Sequence, residues 1–140
     1  MQEIIIMKKI YLISLFFLFS FIAFAEEGIS NQYFIEAESG KSIFSMEEGI
    51  VQKIGYEFEK GNYITIKYLS TGLTITYCNL TKASVKKGQK VEKGQKIGTT
   101  GRTGAIIKSG ITLYIEFDED GMQFNQSTTD ITKIINLFGE

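Results

Sequence analysis

A near-repeat of six residues constrains the fold more than any other feature of the sequence. Residues 85–90 read VKKGQK, residues 91–96 read VEKGQK, and Ile97 and Gly98 continue the pattern. Each unit contains one β-branched residue and one glycine, and glycine permits the positive φ that a tight reversal needs. The repeat therefore predicts two short turns joined by short extended segments.

One clearly alternating strand follows the repeat, at residues 111–117. Successive side chains of a strand point to opposite faces. Four apolar side chains are therefore predicted to share the core face: Ile111, Leu113, Ile115 and Phe117. Thr112, Tyr114 and Glu116 share the other face, and what these three side chains present decides what the chain can bind.

Similar short runs, separated by glycine-containing turns, fill the chain from residue 40 to residue 125. They predict strands at residues 42–46, 50–59, 63–69 and 73–80. Gly55 interrupts the second of these and is expected to mark a bulge. Many short strands at even spacing favour an all-β sandwich or barrel of short antiparallel strands.

The two ends of the chain have a different composition. Residues 1–25 are predicted to be a signal peptide, because two lysines precede an apolar run that ends in an A-x-A site. An uncleaved N-terminal anchor is the alternative, although the run is short for a spanning helix. Residues 26–39 form a polar arm expected to dock as an edge strand, residues 40–126 form the β domain, and residues 127–140 are predicted to form a short helix.

Composition excludes several functions. The formal net charge is −1, so no nucleic-acid footprint is expected. The chain contains no histidine, which is the usual general base and the commonest zinc ligand at neutral pH. Its single cysteine, Cys78, lies in an apolar strand and is predicted to be a small buried hydrophobe.

Six fragments, in order, resemble the lysostaphin/LytM-type family of zinc peptidoglycan endopeptidases, whose fold is called the duplicated hybrid motif. These fragments are GKSIFS at 40–45 with GIV at 49–51, GNYITI at 61–66, TYCNL at 76–80, the glycine pattern at 85–98, GTTGRTG at 98–104 and LYIEF at 113–117. The resemblance implies this fold for most of the chain and a place in the cell envelope or periplasm.

The chain departs from the family where the family's chemistry lies. The resemblance places the early histidine and aspartate of the family at Ser30 and Phe34. It places the two histidines of H-x-H at Thr112 and Tyr114, and the histidine of Y-x-H at Asn79. Zinc catalysis needs about three protein ligands and an open position for water. We therefore predict no bound metal, no cofactor and no enzymatic activity.

The groove of the family is nevertheless expected to persist as a binding surface. Five side chains are predicted to line it: Tyr77, Asn79, Thr112, Tyr114 and Glu116. Hydroxyls, an amide, a carboxylate and two rings suit hydrogen bonding to a peptide or glycan. The alternative is that Thr112 and Tyr114 simply fill an emptied cleft. Arg102, in the glycine-rich loop, either clamps a carboxylate or is an ordinary exposed charge.

These patterns support an exported, catalytically inactive LytM-type domain that binds peptidoglycan or regulates a cell-wall hydrolase. It would contact no membrane once the signal is cleaved. One alternative is a lipoyl/biotinyl-like module, for which Lys60 is the nearest hairpin-tip lysine, or a structural protein of the envelope. Another is an enzyme that uses a different metal, a hard cation held by oxygen atoms of Asn79, Glu116 and the acidic loop residues at 118–120. An active metalloendopeptidase is the least favoured interpretation.

Overall fold

The structure, a computed structural model, describes residues 31–117 and 137–139. Eight strands form within them: β1 (Asn31–Glu36), β2 (Ser42–Phe44), β3 (Gly49–Glu57), β4 (Gly61–Tyr68), β5 (Leu73–Ala83), β6 (Lys90–Val91), β7 (Lys96–Thr100) and β8 (Gly110–Phe117). Every recorded pairing between them is antiparallel. The predicted all-β class is confirmed.

Two predicted elements fall largely outside this part of the chain. The signal peptide at residues 1–25 lies outside the described residues. So does the predicted C-terminal helix, except that Leu137 and Phe138 form a turn. Across residues 31–117 and 137–139, no helix has the length and the apolar character needed to cross a membrane.

The longest strand, β5, joins two paths of the sheet. One path has the order β1-β8-β5-β4-β3-β6, and β7 pairs with both β2 and β5. The register of β5 against β7 shifts between Leu80 and Lys82. Core side chains come from both paths, for example Ile43 on β2 and Ile64 on β4, both fully buried. The sheet therefore curls around a single core.

The strand predictions hold with small changes at their ends. The polar arm does supply an edge strand, because β1 pairs with β8 at the margin of the sheet. The bulge expected at Gly55 is wrong: Gly55 pairs regularly with Tyr63, and the register of β3 shifts between Val51 and Lys53. A Cβ at Gly55 would lie 3.1 Å from the Tyr63 hydroxyl, so the missing side chain makes room for that ring.

The near-repeat folds into two equivalent turns. The glycine of each has a positive φ, 84° at Gly88 and 77° at Gly94. In both turns, the side-chain oxygen of the following glutamine accepts a backbone N–H three residues earlier at 3.0 Å. The Gly88 N–H donates to the carbonyl of Val51 at 2.7 Å, and the Gly94 N–H donates to that of Ser45 at 2.8 Å. Each turn thus docks on a different part of the sheet by the same contact.

The strands β5 and β8 have two chemically different faces. On the inner face, Tyr77 lies opposite Leu113 and Ile75 opposite Ile115, and all four are buried in the core. We call the opposite side the outer face, and define it by Thr112, Tyr114 and Glu116 on β8 with Cys78, Thr76 and Thr74 on β5. The predicted core positions 111, 113 and 115 are confirmed, while the side chain of Phe117 lies outside the described part.

Candidate functional site

The outer face groups the three candidate residues of β8. Thr112 lies opposite Cys78, Tyr114 opposite Thr76, and Glu116 opposite Thr74. Burial decreases along β8, because Thr112 is 5% exposed, Tyr114 is half-buried and Glu116 is exposed. The face therefore offers hydroxyls and a phenol ring in its interior part and a carboxylate at its solvent end.

The edge strand β1 extends this face. Phe34 lies directly opposite Thr112 in the register of β1 and β8, and its side chain is 47% exposed. A Cβ at Gly110 would lie 2.8 Å from the Phe34 ring, so the ring lies across that glycine. The position that the resemblance assigned to the family's early aspartate thus lies beside the position of its H-x-H motif. Ser30, the other early position, lies outside the described residues.

Asn79 connects three elements beneath this face through hydrogen bonds of its side chain. Its φ is 65°, in the left-handed region that asparagine tolerates better than most residues. Its side-chain oxygen accepts the Thr112 N–H at 3.2 Å. Its amide nitrogen donates to the carbonyls of Thr103 at 2.9 Å and Lys60 at 3.3 Å. Asn79 is fully buried, so these partners, and not a surface ligand, use its hydrogen-bonding groups.

The glycine-rich loop at residues 101–104 packs closely against the start of β4. The Thr103 hydroxyl donates to the Leu80 carbonyl at 2.8 Å and accepts the Asn62 N–H at 3.0 Å. A Cβ at Gly104 would lie 2.4 Å from the backbone nitrogen of Gly61, a distance that no side chain can occupy. The backbone next to Lys60 is therefore held by the loop and by Asn79 together.

Lys60 brings a positive charge to the outer face. Its ammonium nitrogen lies 3.0 Å from a Glu57 carboxylate oxygen. The same nitrogen lies 5.4 Å from the ring centroid of Tyr63 and 5.9 Å from that of Tyr114. The hydrogen bond with Glu57 raises the pKa of Lys60 and lowers the pKa of Glu57. The sequence indicates Lys60 only as a possible carrier lysine, because its approach to Tyr114 depends on contacts between distant segments.

Two ionisable groups of this face, the Cys78 thiol and the Tyr114 hydroxyl, have raised pKa values. Burial raises the pKa of the Cys78 thiol to about 12. Burial also raises the pKa of the Tyr114 hydroxyl. Both groups are therefore protonated at neutral pH, and neither supplies a thiolate or a phenolate.

The structure brings together only part of the predicted site. Thr112, Tyr114 and Glu116 share the outer face, but the placement of Tyr77 on it is wrong. Tyr77 lies opposite Leu113 on the inner face, and its hydroxyl lies 2.5 Å from that of Tyr68. In this register Cys78 opposes Thr112, and because side chains alternate along a strand, Tyr77 points to the core.

The remaining candidates also divide between interior and surface. Asn79 is buried beneath the face, and Arg102 is exposed in the loop at 101–104. The sequence reasoning missed Lys60, Cys78 and Phe34 as members of the face. Only the position of Phe34 was signalled beforehand, through its alignment with the family's early motif.

The antiparallel curled sheet is the fold of lysostaphin/LytM-type domains. The model of peptidase family M23 matches residues 29–126, and the chain belongs to that family. The predicted family resemblance is thereby confirmed.

Curated relatives and solved structures agree with this assignment. Over 104 residues the chain is 35% identical to the peptidoglycan DD-endopeptidase ShyC of Vibrio cholerae, covering 74% of this chain and 23% of that protein. A zinc-containing peptidase from Vibrio cholerae superposes with a TM-score of 0.54 at 30% identity, covering 57% of this chain and 24% of that one. The catalytic domain of lysostaphin from Staphylococcus simulans superposes with a TM-score of 0.54 at 24% identity, covering 59% and 65%. The chain spans 23% of the length of ShyC and 21% of the length of a second Vibrio cholerae peptidoglycan DD-endopeptidase, ShyA.

Our prediction that the chain is not an enzyme is wrong as a statement of its class. M23 is a family of peptidases. The relatives at 35% identity are named as endopeptidases, and a similar structure is that of a zinc-containing peptidase. The prediction rested on the missing histidines. Their absence limits the metal ligands that the chain can offer, but it does not decide the family to which the chain belongs.

The donor atoms of the described residues do not fit the zinc ion that the family implies. In residues 31–117 and 137–139 no three histidine, cysteine, aspartate or glutamate side chains lie close enough to hold a metal ion. At the positions aligned with zinc ligands, Tyr114 carries a protonated hydroxyl and Phe34 carries a ring, while Ser30 lies outside the described residues. Zinc binds thiolate, imidazole and carboxylate groups, and a neighbouring ammonium would oppose a second cation. We therefore derive no chemical step through a metal.

Proposed function

We propose that the chain is an exported domain that recognises cell-wall peptidoglycan with the outer face of β5 and β8. The observation that carries the proposal is the clustering of Thr112, Tyr114 and Glu116 on one face of an M23 fold, where Tyr114 is half-buried and Glu116 is exposed. Curated relatives are named for their action on peptidoglycan itself. The proposal therefore concerns direct contact with the polymer, in preference to regulation of a separate hydrolase.

The chemistry of this face suits an oligosaccharide with attached peptides. Hydroxyl groups and a carboxylate can exchange hydrogen bonds with sugar hydroxyls and peptide amides. The half-buried ring of Tyr114 has an apolar surface for a sugar or a small side chain and a polar tip for water. Such a face recognises a polar polymer of sugars and peptides better than a flat apolar patch would.

A surface cleft of about 560 Å³ continues from the face beyond β1. It is lined by Phe34, Glu36, Ala105, Ile106, Ile107 and Lys108. Its apolar walls suit small aliphatic side chains, and its charged residues, Lys108 and Glu36, lie 3.5 Å apart. Because Phe34 belongs both to the cleft and to the row of Thr112, one peptide can contact both surfaces.

The N-terminal sequence supports a periplasmic or envelope location. Residues 1–25 have the charged, apolar and small-residue regions of a signal peptide. A domain that binds peptidoglycan has to reach the compartment that contains the polymer. The predicted export and the chemistry of the outer face therefore support the same function.

Sedimentation with purified peptidoglycan sacculi tests the proposal. We expect the purified protein to be retained, and Tyr114→Ala to reduce the apparent affinity about 5- to 10-fold, as is usual for a central aromatic contact. Tyr56→Ala is the matched control, since Tyr56 is 63% exposed and lies on β3, outside the face. Failure of the unaltered protein to sediment, or equal effects of the two substitutions, would contradict the proposal.

A further inference from the structure

The outer face has a built-in positive charge at a fixed place. The Lys60 side chain is only 33% exposed. Its ammonium nitrogen lies within cation–π distance of both Tyr63 and Tyr114. An exposed lysine normally samples many positions, whereas this one lies near the rings of two strands, β4 and β8, that flank β5.

The backbone of Lys60 is confined as well. Its carbonyl accepts the backbone N–H of Asn79 at 2.7 Å and the Asn79 side-chain amide at 3.3 Å. The next residue, Gly61, packs against the backbone of Thr103 so closely that a Cβ there would lie 2.4–2.5 Å from Thr103 atoms. The ammonium is thus positioned by the same buried contacts that shape the face.

We infer that the Lys60 ammonium is the binding position for a carboxylate group of the ligand, and that Glu57 occupies this position in the unliganded chain. The inference rests on the proposed function and names the chemical group that this part of the face takes. An ammonium has three hydrogen-bond donors. Glu57, 3.0 Å away, engages the ammonium from one side.

Exchange of one carboxylate for another costs little here. The Glu57 side chain is 50% exposed, and an ion pair of this kind contributes little to stability because water solvates both partners. Glu57 also forms a hydrogen bond with Tyr63, so a ligand carboxylate gains its advantage from contacts of the attached ligand groups with the Tyr114 ring. Glu57 therefore acts as a weak internal competitor.

Lys60 also supplies a positive charge that does not depend on a metal ion. The described donors of this face do not fit zinc, whereas the Lys60 ammonium belongs to the chain itself. Carboxylate binding is consequently expected to be unchanged by a chelator. It is expected to weaken with rising salt concentration, because the contact is electrostatic and partly exposed.

The probes for the test are the dipeptide D-alanyl-D-alanine and its C-terminal amide, which differ only in the carboxylate. Titration calorimetry or NMR shift mapping on the full protein is expected to show binding of the acid at least about 10-fold tighter than that of the amide. Lys60→Met should remove this preference. Glu57→Gln should strengthen binding of the acid about two- to five-fold, because the competitor loses its charge.

Lys93→Met and Glu47→Gln are the matched controls. Lys93 and Glu47 form another exposed ion pair, at 3.5 Å, that lies away from the outer face. Neither control should alter the difference between acid and amide. Thermal melts of all variants establish that they are folded, and Glu57→Gln tests the inference by itself if Lys60→Met does not fold.

Several results would overturn the inference. They are equal binding of acid and amide, an unchanged preference in Lys60→Met, weaker binding in Glu57→Gln, or binding that requires zinc. Sedimentation with sacculi distinguishes failure of the carboxylate site from failure of the proposed function. If the unaltered protein sediments and Lys60→Met sediments equally well, the proposed function stands and the carboxylate site fails.

Discussion

The two faces of β5 and β8 are built from alternate residues of the same strands, yet different forces hold them. On the inner face, Ile75, Tyr77, Leu113 and Ile115 are 0–3% exposed and pack in one apolar cluster. On the outer face, Thr112 and Cys78 are nearly as buried, but the contacts that organise their surroundings are polar. There, a single amide side chain, that of Asn79, fastens β8, the loop at 101–104 and the β3–β4 turn.

Stability and recognition are separated between these two faces. Apolar burial contributes about 25 cal/mol per Å² and is not directional, so the inner face determines whether the chain folds. Hydrogen bonds are directional and add little net stability, so the outer face determines where Lys60 and Tyr114 are placed. Substitutions on the two faces should therefore have different consequences.

The largest expected effect comes from the inner face. Leu113→Ala removes a fully buried side chain opposite Tyr77, and we expect the free energy of unfolding to fall by about 2–5 kcal/mol. Thr74→Ala, on the partly exposed outer side of β5, should change it by less than about 0.5 kcal/mol. Urea denaturation measures both values, and a similar loss in the two variants would remove the distinction between the faces.

A smaller effect isolates the outer face. Gly104→Ala combines a φ of +82° with a Cβ that would overlap the backbone of Gly61, so we expect a loss of about 2–3 kcal/mol together with a displaced Lys60. Gly94→Ala has a similar φ, +77°, but open space around its Cβ, and should cost only about 1 kcal/mol. Denaturation gives the two losses, and NMR shifts of Tyr63 and Tyr114 report the displacement. Equal losses would show that the close packing of Gly104 is unimportant.

The smallest effect concerns protonation. The folded-state pKa of Cys78, about 12, lies above the ordinary value of 9.0, so its contribution to stability is complete below pH 9. That contribution is lost as the pH rises towards 12, because the unfolded chain releases the proton first. Between pH 9 and pH 10 the free energy of unfolding should fall by about 1 kcal/mol more in the unaltered protein than in Cys78→Ala. Tyrosine ionisation is common to both proteins, and parallel pH profiles would contradict the assignment.

Much of the fold could be predicted because it depends on local patterns. The alternation of residues 111–117 predicted the buried set on β8, and the near-repeat predicted two glycine turns. Both follow from the φ that glycine permits and the two-residue period of a strand. The family resemblance likewise rests on ordered fragments, and it was confirmed.

Less of the site could be predicted, because it depends on register and on contacts between distant segments. Placing Tyr77 on the correct face required knowing that Cys78, one position later, opposes Thr112. A shift of one residue moves a side chain to the other face. The position of Lys60 follows from its contacts with Asn79 and with the rings of two strands, and no local pattern encodes such contacts.

The paired turns at 85–96 have a consequence for how this chain tolerates change. Each six-residue unit closes on itself through its own glutamine and touches the sheet through its own glycine, against Val51 in one case and Ser45 in the other. The units are therefore interchangeable modules, and a chain with VKKGQK and VEKGQK transposed should fold unaltered. Removing one of them would leave either the Val51 carbonyl or the Ser45 carbonyl without its glycine N–H. The part of the chain that loses this contact would open first.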